Sequence, residues 1–277
     1  MHNCLTVDVE EWFHVCENEG PLAPSRWDLL PSRVVETTRD LLHLLDGCGV
    51  RGTFFILGWI AERYPALVAE IHEAGHEIGS HGHLHQPLYE LVPDTFARDL
   101  AASRAALSAA GAPEVRGYRA PMWSINDRSL WALEELARNG FTFDSSMAPM
   151  KMVGNPDYPT QPHRRSTAGG DLVEFPPLVD RRFGHNMPLG LGWGLRMSSP
   201  RRVIRAIEDR NRNGVPVALA VHPWELDPDP PRASLPLAKR FGHYFRLDGF
   251  RVRLDDILRG ASFAPMGEVL GSCQISS

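Results

Sequence analysis

Gly79-Ser80-His81-Gly82-His83-Leu84-His85 packs three imidazoles into five residues. Neutral imidazole nitrogen is a ready ligand for zinc and similar divalent ions, and catalytic sites use three protein ligands while leaving room for water. Histidines four apart face the same side of a helical turn, so the spacing predicts His81 and His85 on one ion with His83 turned away. Asp8 and Glu10 lie two apart at the end of an apolar run, and on an extended strand they leave from the same face. Two such carboxylates can divide the work, one as metal ligand and one as proton acceptor. His222 closes a later apolar run, where an imidazole with an ordinary pKa of about 6.5 suits proton donation near neutrality. Arg119 offers a planar guanidinium that could orient a carboxylate with two prongs. Asp144 could hold His222 in its useful tautomer, or cap a turn with Ser145 and Ser146. A competing pattern, His72-Glu73-Ala74-Gly75-His76, has the letters of a zinc-protease HExxH motif. Gly75 stands where a helix stop belongs, so the two histidines would not share a helix face.

The elements that must deliver these residues alternate between strand and helix. Strands are expected at Leu5 to Val9, Gly52 to Leu57, His76 to Gly79, Val115 to Tyr118, Phe141 to Asp144, Leu172 to Phe175 and Val215 to Val221. Helices are expected from an N-cap at Ser32 to a stop at Gly47, from Pro65 to Ala74, from Asp94 as N-cap to Ala110, from Asp127 to Asn139 and from Pro200 to Arg212. Residues 145–170 read as loop, and Gly190 to Gly194 as irregular. Such alternation implies parallel strands with right-handed helical crossovers, either closed into a barrel or open and doubly wound. Neither a P-loop nor a dinucleotide fingerprint is present. Asp8, His81, Arg119, Asp144 and His222 all fall at the C-terminal ends of strands, where parallel barrels carry their chemistry. Beyond a proline-dense run at 223–236, Leu237 to Leu258 reads as an Arg-rich helix. The expected organisation is an α/β barrel over residues 1–225 with a C-terminal extension, 226–277, packed on it.

At 277 residues, 43% hydrophobic and with a net charge of −5, the chain can bury a large core and gives no reason to expect nucleic acid as a partner. No apolar run reaches the roughly 18 residues of a membrane span, and no signal peptide is evident, so a cytoplasmic location is the expectation. Cys4, Cys16, Cys48 and Cys273 form no CxxC pair and read as buried or free thiols.

Taken in order, Thr6-Val7-Asp8-Val9-Glu10, Ser80-His81-Gly82-His83-Leu84-His85, Arg119-Ala120-Pro121 and Val221-His222 resemble the motifs of the NodB-homology polysaccharide deacetylases, carbohydrate esterase family 4, over roughly residues 4–225. The wording Asp-Val-Glu, Arg-Ala-Pro and His-Pro-Trp-Glu is similar to a subgroup tied to bacterial exopolysaccharide synthesis, often with exosortase systems. The resemblance implies a distorted, incomplete (β/α)7 barrel, the NodB-homology fold. It also implies Asp8 as catalytic base, His81 and His85 as metal ligands, Arg119 orienting Asp8, and His222 as general acid. Where the family has two adjacent aspartates, Val9 follows Asp8 and cannot ligate, so Glu10 is expected as the replacement ligand. The Asp-Trp run of the fourth motif is missing, and Asp144 stands in for it.

The expected activity is metal-dependent hydrolysis of N-acetyl groups on an amino-sugar glycan or its precursor, with Zn2+ foremost and Co2+, Ni2+ or Mn2+ as alternatives. Trp12, Trp123, Trp193 and Trp224 could stack on sugar rings, and a backbone N–H near Met122 could face an oxyanion. Three other readings fit the same residues: a small-molecule amidase, a non-catalytic carbohydrate-binding module on a deacetylase fold, and a non-haem iron oxygenase with two histidines and a carboxylate. The oligomeric state is left open.

Overall fold

The computed structural model describes residues 1–15, 20–182, 184–233, 235–273 and 275. In chain order the strands are β1 (Asn3–Val9), β2 (Thr53–Ile56), β3 (Glu77–Ser80), β4 (Gly117–Tyr118), β5 (Phe143–Asp144), β6 (His163–Thr167), β7 (Gly170–Glu174), β8 (Val179–Arg182), β9 (His185–Pro188), β10 (Ala218–Val221) and β11 (Phe263–Ala264). The α-helices are α1 (Val34–Cys48), α2 (Gly58–Arg63), α3 (Pro65–Glu73), α4 (Pro93–Ala109), α5 (Trp131–Arg138), α6 (Gly192–Met197), α7 (Pro200–Arg212), α8 (Leu237–Tyr244), α9 (Phe250–Gly260) and α10 (Met266–Ser272).

One sheet runs β10-β1-β2-β3-β4-β5-β7-β6, parallel throughout except for the antiparallel β6–β7 hairpin. It curls into a half-barrel, the distorted, incomplete barrel that the sequence implies. Among the described residues its two ends do not meet strand to strand. Residues 177 and 191, on the irregular return from β7, bridge to Ala218 and Ala220 of β10. The Leu178 N–H donates to the Ala218 carbonyl at 3.0 Å, and the Ala220 N–H to the Gly190 carbonyl at 2.7 Å.

Alternation along the strands separates two packing layers. Leu5, Val7 and Val9 of β1 and Phe54 and Ile56 of β2 face the helices and join the main core. The intervening residues face inward, where Cys4, Phe55, Phe143, Phe175 and Ala218 fill the lower barrel. A Cβ at Gly117 would overlap the Phe143 ring, so that glycine is the space the ring occupies. Above this apolar floor come Asp8, His81, Arg119 and His222, at the strand ends.

Several local expectations shift. Helix α1 runs through Cys48 and stops at Gly49 (φ 65°) rather than at Gly47, and it begins at Val34 with Arg33 as cap. Ser32 instead donates to Glu11. Helix α4 starts at Pro93, so Asp94 lies inside it, and the Thr95 hydroxyl accepts from the Val92 N–H as the cap. The expected helix from 237 to 258 is broken into α8 and α9 by Arg246 (φ 56°) and Gly249 (φ 68°), two left-handed residues that no continuous helix admits. The short helix α2, strand β6 within the expected loop, and the β8–β9 hairpin had not been expected. The C-terminal residues are woven into the sheet: β11 pairs with β1, and α9 packs on α1 and α7. Helix α3 ends at Glu73 and Gly75 adopts φ 81°, which takes His76 off the helix and dismantles the HExxH pattern. Cys4, Cys48 and Cys273 carry free thiols. Cys16 lies outside the described residues. Among the described residues, no helix is long and apolar enough to cross a membrane.

His76 has a structural job. It is buried against Phe54, and its Nδ1 accepts the Gly52 N–H at 3.1 Å, which requires that nitrogen to stay unprotonated. Burial, with Arg51 adding to it, pushes the imidazole down to about 4. Unfolded, the ring would titrate near 6.5. The contribution to stability is therefore complete above pH 6.5 and is lost as pH falls through about 4, amounting to a few kcal/mol. Urea titrations at pH 7.5 and pH 4.5 should show this loss, and His76→Gln should reduce the proton uptake on unfolding by close to one.

Candidate active site

The centre is a buried arginine. Arg119, fully buried at the end of β4, donates from Nη1 to Asp8 Oδ1 at 2.8 Å and to Thr6 Oγ1 at 2.6 Å. Its Nε and Nη2 go to the Ser145 carbonyl and hydroxyl at 2.9 and 2.7 Å. The guanidinium lies between the rings of Phe55 and Trp123, 4.4 and 4.3 Å from their centroids. The expected two-pronged grip on a carboxylate is thus a single N–H on Asp8, the rest of the fork being used on Thr6 of β1 and on Ser145 beyond β5. Truncating either partner would leave the other charge buried and uncompensated, which is strongly destabilising.

Glu10 stands one residue beyond β1, and its Oε1 lies 2.8 Å from His81 Nε2 and 2.8 Å from His85 Nε2. The two histidines are not on a helical turn, as the spacing had suggested. The segment after β3 is a loop, curled by left-handed Gly82 (φ 76°) and His85 (φ 53°) until both rings face Glu10. Asp99 of α4 secures this loop by accepting the His83 and Leu84 N–H groups at 2.9 and 3.3 Å. Burial opposes a charge on Glu10, but His85, His222 and His81 outweigh it and hold the carboxyl well below its usual range.

This donor set fits a divalent cation. His81 Nδ1 sits 2.8 Å from the Arg119 carbonyl, which can only accept, so Nδ1 carries the proton, and a neutral ring would direct its Nε2 lone pair at Glu10. A lone pair facing a carboxylate oxygen is repulsive unless a positive charge lies between them. A ring N–H donated to a backbone carbonyl is also the usual outer support of a ligating histidine. The donor atoms of Glu10, His81 and His85 lie within 4.8 Å of one another, as do those of Asp8, Glu10 and His222.

His222, just past β10, has Nε2 3.9 Å from Asp8 Oδ2 and Nδ1 3.0 Å from Glu225 Oε2. Burial would depress this imidazole, but Glu10, Glu225 and Asp8 outweigh it and raise it to about 9. The acid partner is Glu225 and not Asp144. Asp144 accepts from the Ser146 hydroxyl, as the alternative turn-capping reading had it, and shares a hydrogen bond with Glu174. Burial and the Asp144 charge push Glu174 well above the carboxylate range, so this buried pair holds one proton between its members. Glu225 was missed as a site residue, although the signal was there: an acid three residues after His222, across a turn opened by Pro223. His222 N–H also donates to Glu225 Oε2, at 3.0 Å.

Arg196 of α6 pairs with Glu225 Oε1 at 2.8 Å and donates to the Gly242 and Phe245 carbonyls at 2.7 and 2.6 Å. The same guanidinium therefore ties the end of α8 to the acid partner of His222. A Cβ at Gly192 would overlap both carboxylate oxygens of Glu225. Gly192→Ala should displace that carboxylate and release the His222 ring, lowering kcat by on the order of 10²-fold without loss of bound metal. Steady-state kinetics with metal analysis checks this.

These groups open on a cavity of about 300 Å³. Trp123, Trp193 and Trp224 line it; Trp12 does not, its indole being buried with Nε1 on the Pro31 carbonyl. Leu235, Lys239, Gly242 and His243 complete the wall from the C-terminal extension.

The fold is thus α/β, a parallel half-barrel with imidazoles, carboxylates and an arginine gathered at its strand C-termini. Residues 22–141 match the polysaccharide deacetylase family model. Residues 145–271 match a domain of unknown function, DUF3473. Asp8, Glu10 and His222 lie outside the deacetylase match. The chain is 30% identical over 102 residues to a peptidoglycan-N-acetylglucosamine deacetylase of Bacillus cereus, covering 36% of this chain and 37% of that protein. It is 28% identical over 163 residues to chitin deacetylase 1 of Saccharomyces cerevisiae, covering 58% and 49%. It thus spans about half the length of these curated relatives or less. In fold, it is similar to a structure assigned as a polysaccharide deacetylase from Mycobacterium smegmatis, with TM-score 0.62 at 23% identity, covering 100% of this chain and 93% of that one. A family 4 carbohydrate esterase from Streptomyces lividans aligns with TM-score 0.52 at 15% identity, covering 100% and 98%.

Proposed function

We propose that this chain is a metal-dependent hydrolase that removes N-acetyl groups from an amino-sugar polysaccharide or its precursor, in exopolysaccharide biosynthesis. The observation that carries the reading is the shared focus of His81 Nε2 and His85 Nε2 on Glu10 Oε1, beside an Asp8–His222 pair in one cavity. A divalent cation on Glu10, His81 and His85, zinc foremost, supplies Lewis acidity toward the acetamide carbonyl and acidifies water.

The chain's own residues do the rest. Asp8, fixed by Arg119 through one oxygen, takes the proton of the attacking water with the other. His222 then gives its Nε2 proton to the departing amine, its Nδ1–H held on Glu225. A backbone N–H at Met122, in a left-handed turn (φ 57°) at the cavity edge, is the donor for the developing oxyanion. With a cation drawing on Glu10, Glu225 is the partner that keeps His222 protonated. The cavity's tryptophans suit stacking on sugar faces. Acetate release from N-acetylglucosamine oligomers, set beside amine release from small linear amides and ring opening of small cyclic amides, tests the substrate class. Turnover of the oligomers alone supports it, and turnover of small amides alone moves the reading to an amidase.

A further inference from the structure

His14 is an imidazole that the sequence reading passed over. It is buried in the wall of the cavity that holds Asp8, Glu10 and His85. Aromatic neighbours fix its ring: Phe13 edge-on at 5.0 Å, Trp27 at 4.3 Å and Trp59 edge-on at 5.4 Å between centroids. On the site side it stacks with His85 at 5.8 Å. The Glu11 N–H donates to His14 Nδ1 at 3.2 Å. A ring nitrogen that accepts a hydrogen bond carries no proton, so the neutral ring has its hydrogen on Nε2. That Nε2 is buried and has no hydrogen-bond partner among the described residues.

Nδ1 has a structural job on the Glu11 N–H, but Nε2–H is an unpaired buried donor, which is costly. Packing and the Glu11 contact therefore account for the ring and for Nδ1 but not for Nε2–H. Metal ligation does not account for it either, since Nε2 holds the proton.

We propose that His14 is a substrate-binding residue whose Nε2–H donates to an uncharged oxygen of the bound substrate beside the scissile bond, either the acetyl carbonyl or a hydroxyl of the sugar that bears it. This rests on the deacetylase reading of the same cavity. Aromatic neighbours and the Glu11 N–H hold the ring in place before substrate arrives.

The test compares wild type, His14→Phe and His14→Gln, all loaded with zinc. The substrates are an N-acetylglucosamine tetramer and the sugarless 4-nitrophenyl acetate, with metal content and Tm measured in parallel. His14→Phe should lower kcat/KM on the tetramer by about 10- to 100-fold, with metal content held and the protein folded at the assay temperature, and His14→Gln should recover part of the loss. An equal loss on 4-nitrophenyl acetate assigns the acceptor to the acetyl carbonyl, and a loss confined to the tetramer assigns it to a sugar hydroxyl. Unchanged kinetics in His14→Phe would overturn the proposal. So would loss of metal, which would make His14 a ligand, or a lowered Tm with no recovery in His14→Gln, which would make it structural. Failure of the wild type on both substrates would sink the deacetylase reading, and this proposal with it. An active wild type with an equally active His14→Phe would sink only the proposal.

Discussion

Asp8→Asn is expected to lose at least ~10²-fold in kcat while keeping its metal, because an amide cannot take the proton of the attacking water. The substitution is nearly isosteric, and its carbonyl can still accept from Arg119 Nη1 in place of Oδ1. What it removes is the negative charge beside a fully buried guanidinium. Some stability should go with it, softened by the nearby Asp144, whose charge also acts on Arg119. The useful comparison is therefore kcat at a temperature where both proteins are folded, with metal bound in both. Near-normal turnover by the metal-loaded variant would remove Asp8 from the role of base.

The second large effect belongs to Glu10. Glu10→Gln keeps length and shape but takes away the charge on which His81 Nε2 and His85 Nε2 converge. Groups that merely support a ligand are worth about 10- to 100-fold in metal affinity. Loss of a charged ligand should exceed this, leaving the variant substoichiometric after gel filtration and inactive at wild-type metal concentrations. Excess zinc should restore part of the activity, since two imidazoles and Asp8 remain. A Glu10→Gln protein that retains one tightly held ion would show that the ligand set is drawn wrongly.

The contrast between these two carboxylates explains how much of the site the sequence could disclose. Strand alternation put Asp8 and Glu10 on one face, and the strand-end rule gathered Asp8, His81, Arg119 and His222 at one rim; both follow from backbone periodicity, which is written locally. What was not legible came from contacts across the fold. The His81–His85 pairing looked helical, yet it depends on a loop that Asp99, on a different helix, holds in place. Asp144 seemed available to His222 by strand order alone, whereas the acid within reach was Glu225, in a turn whose geometry no periodicity announces. His14 was invisible for the same reason, since its box draws on Trp27 and Trp59 from separate segments. The short strands β6, β8 and β9 escaped because their residues are largely polar and half-exposed, giving no apolar alternation to read.

The C-terminal extension gains a function from these contacts. Its β11 lies beside β1, and α8 both walls the cavity and is clasped by Arg196, which also grips Glu225. The end of the sheet that bears Asp8 and the partner of His222 are thus both braced by residues beyond 225.

The most direct measurement is metal content and acetate release on one sample, carried through stripping and reloading. Purified protein should hold close to one divalent ion per chain and release acetate from N-acetylglucosamine oligomers. It should lose both on chelation and regain both, in proportion, on titration with Zn2+. Acetate release that continues unchanged in the stripped protein, or a reloaded ion that leaves the oligomers untouched, would contradict a metal-dependent deacetylase built on Glu10, His81 and His85.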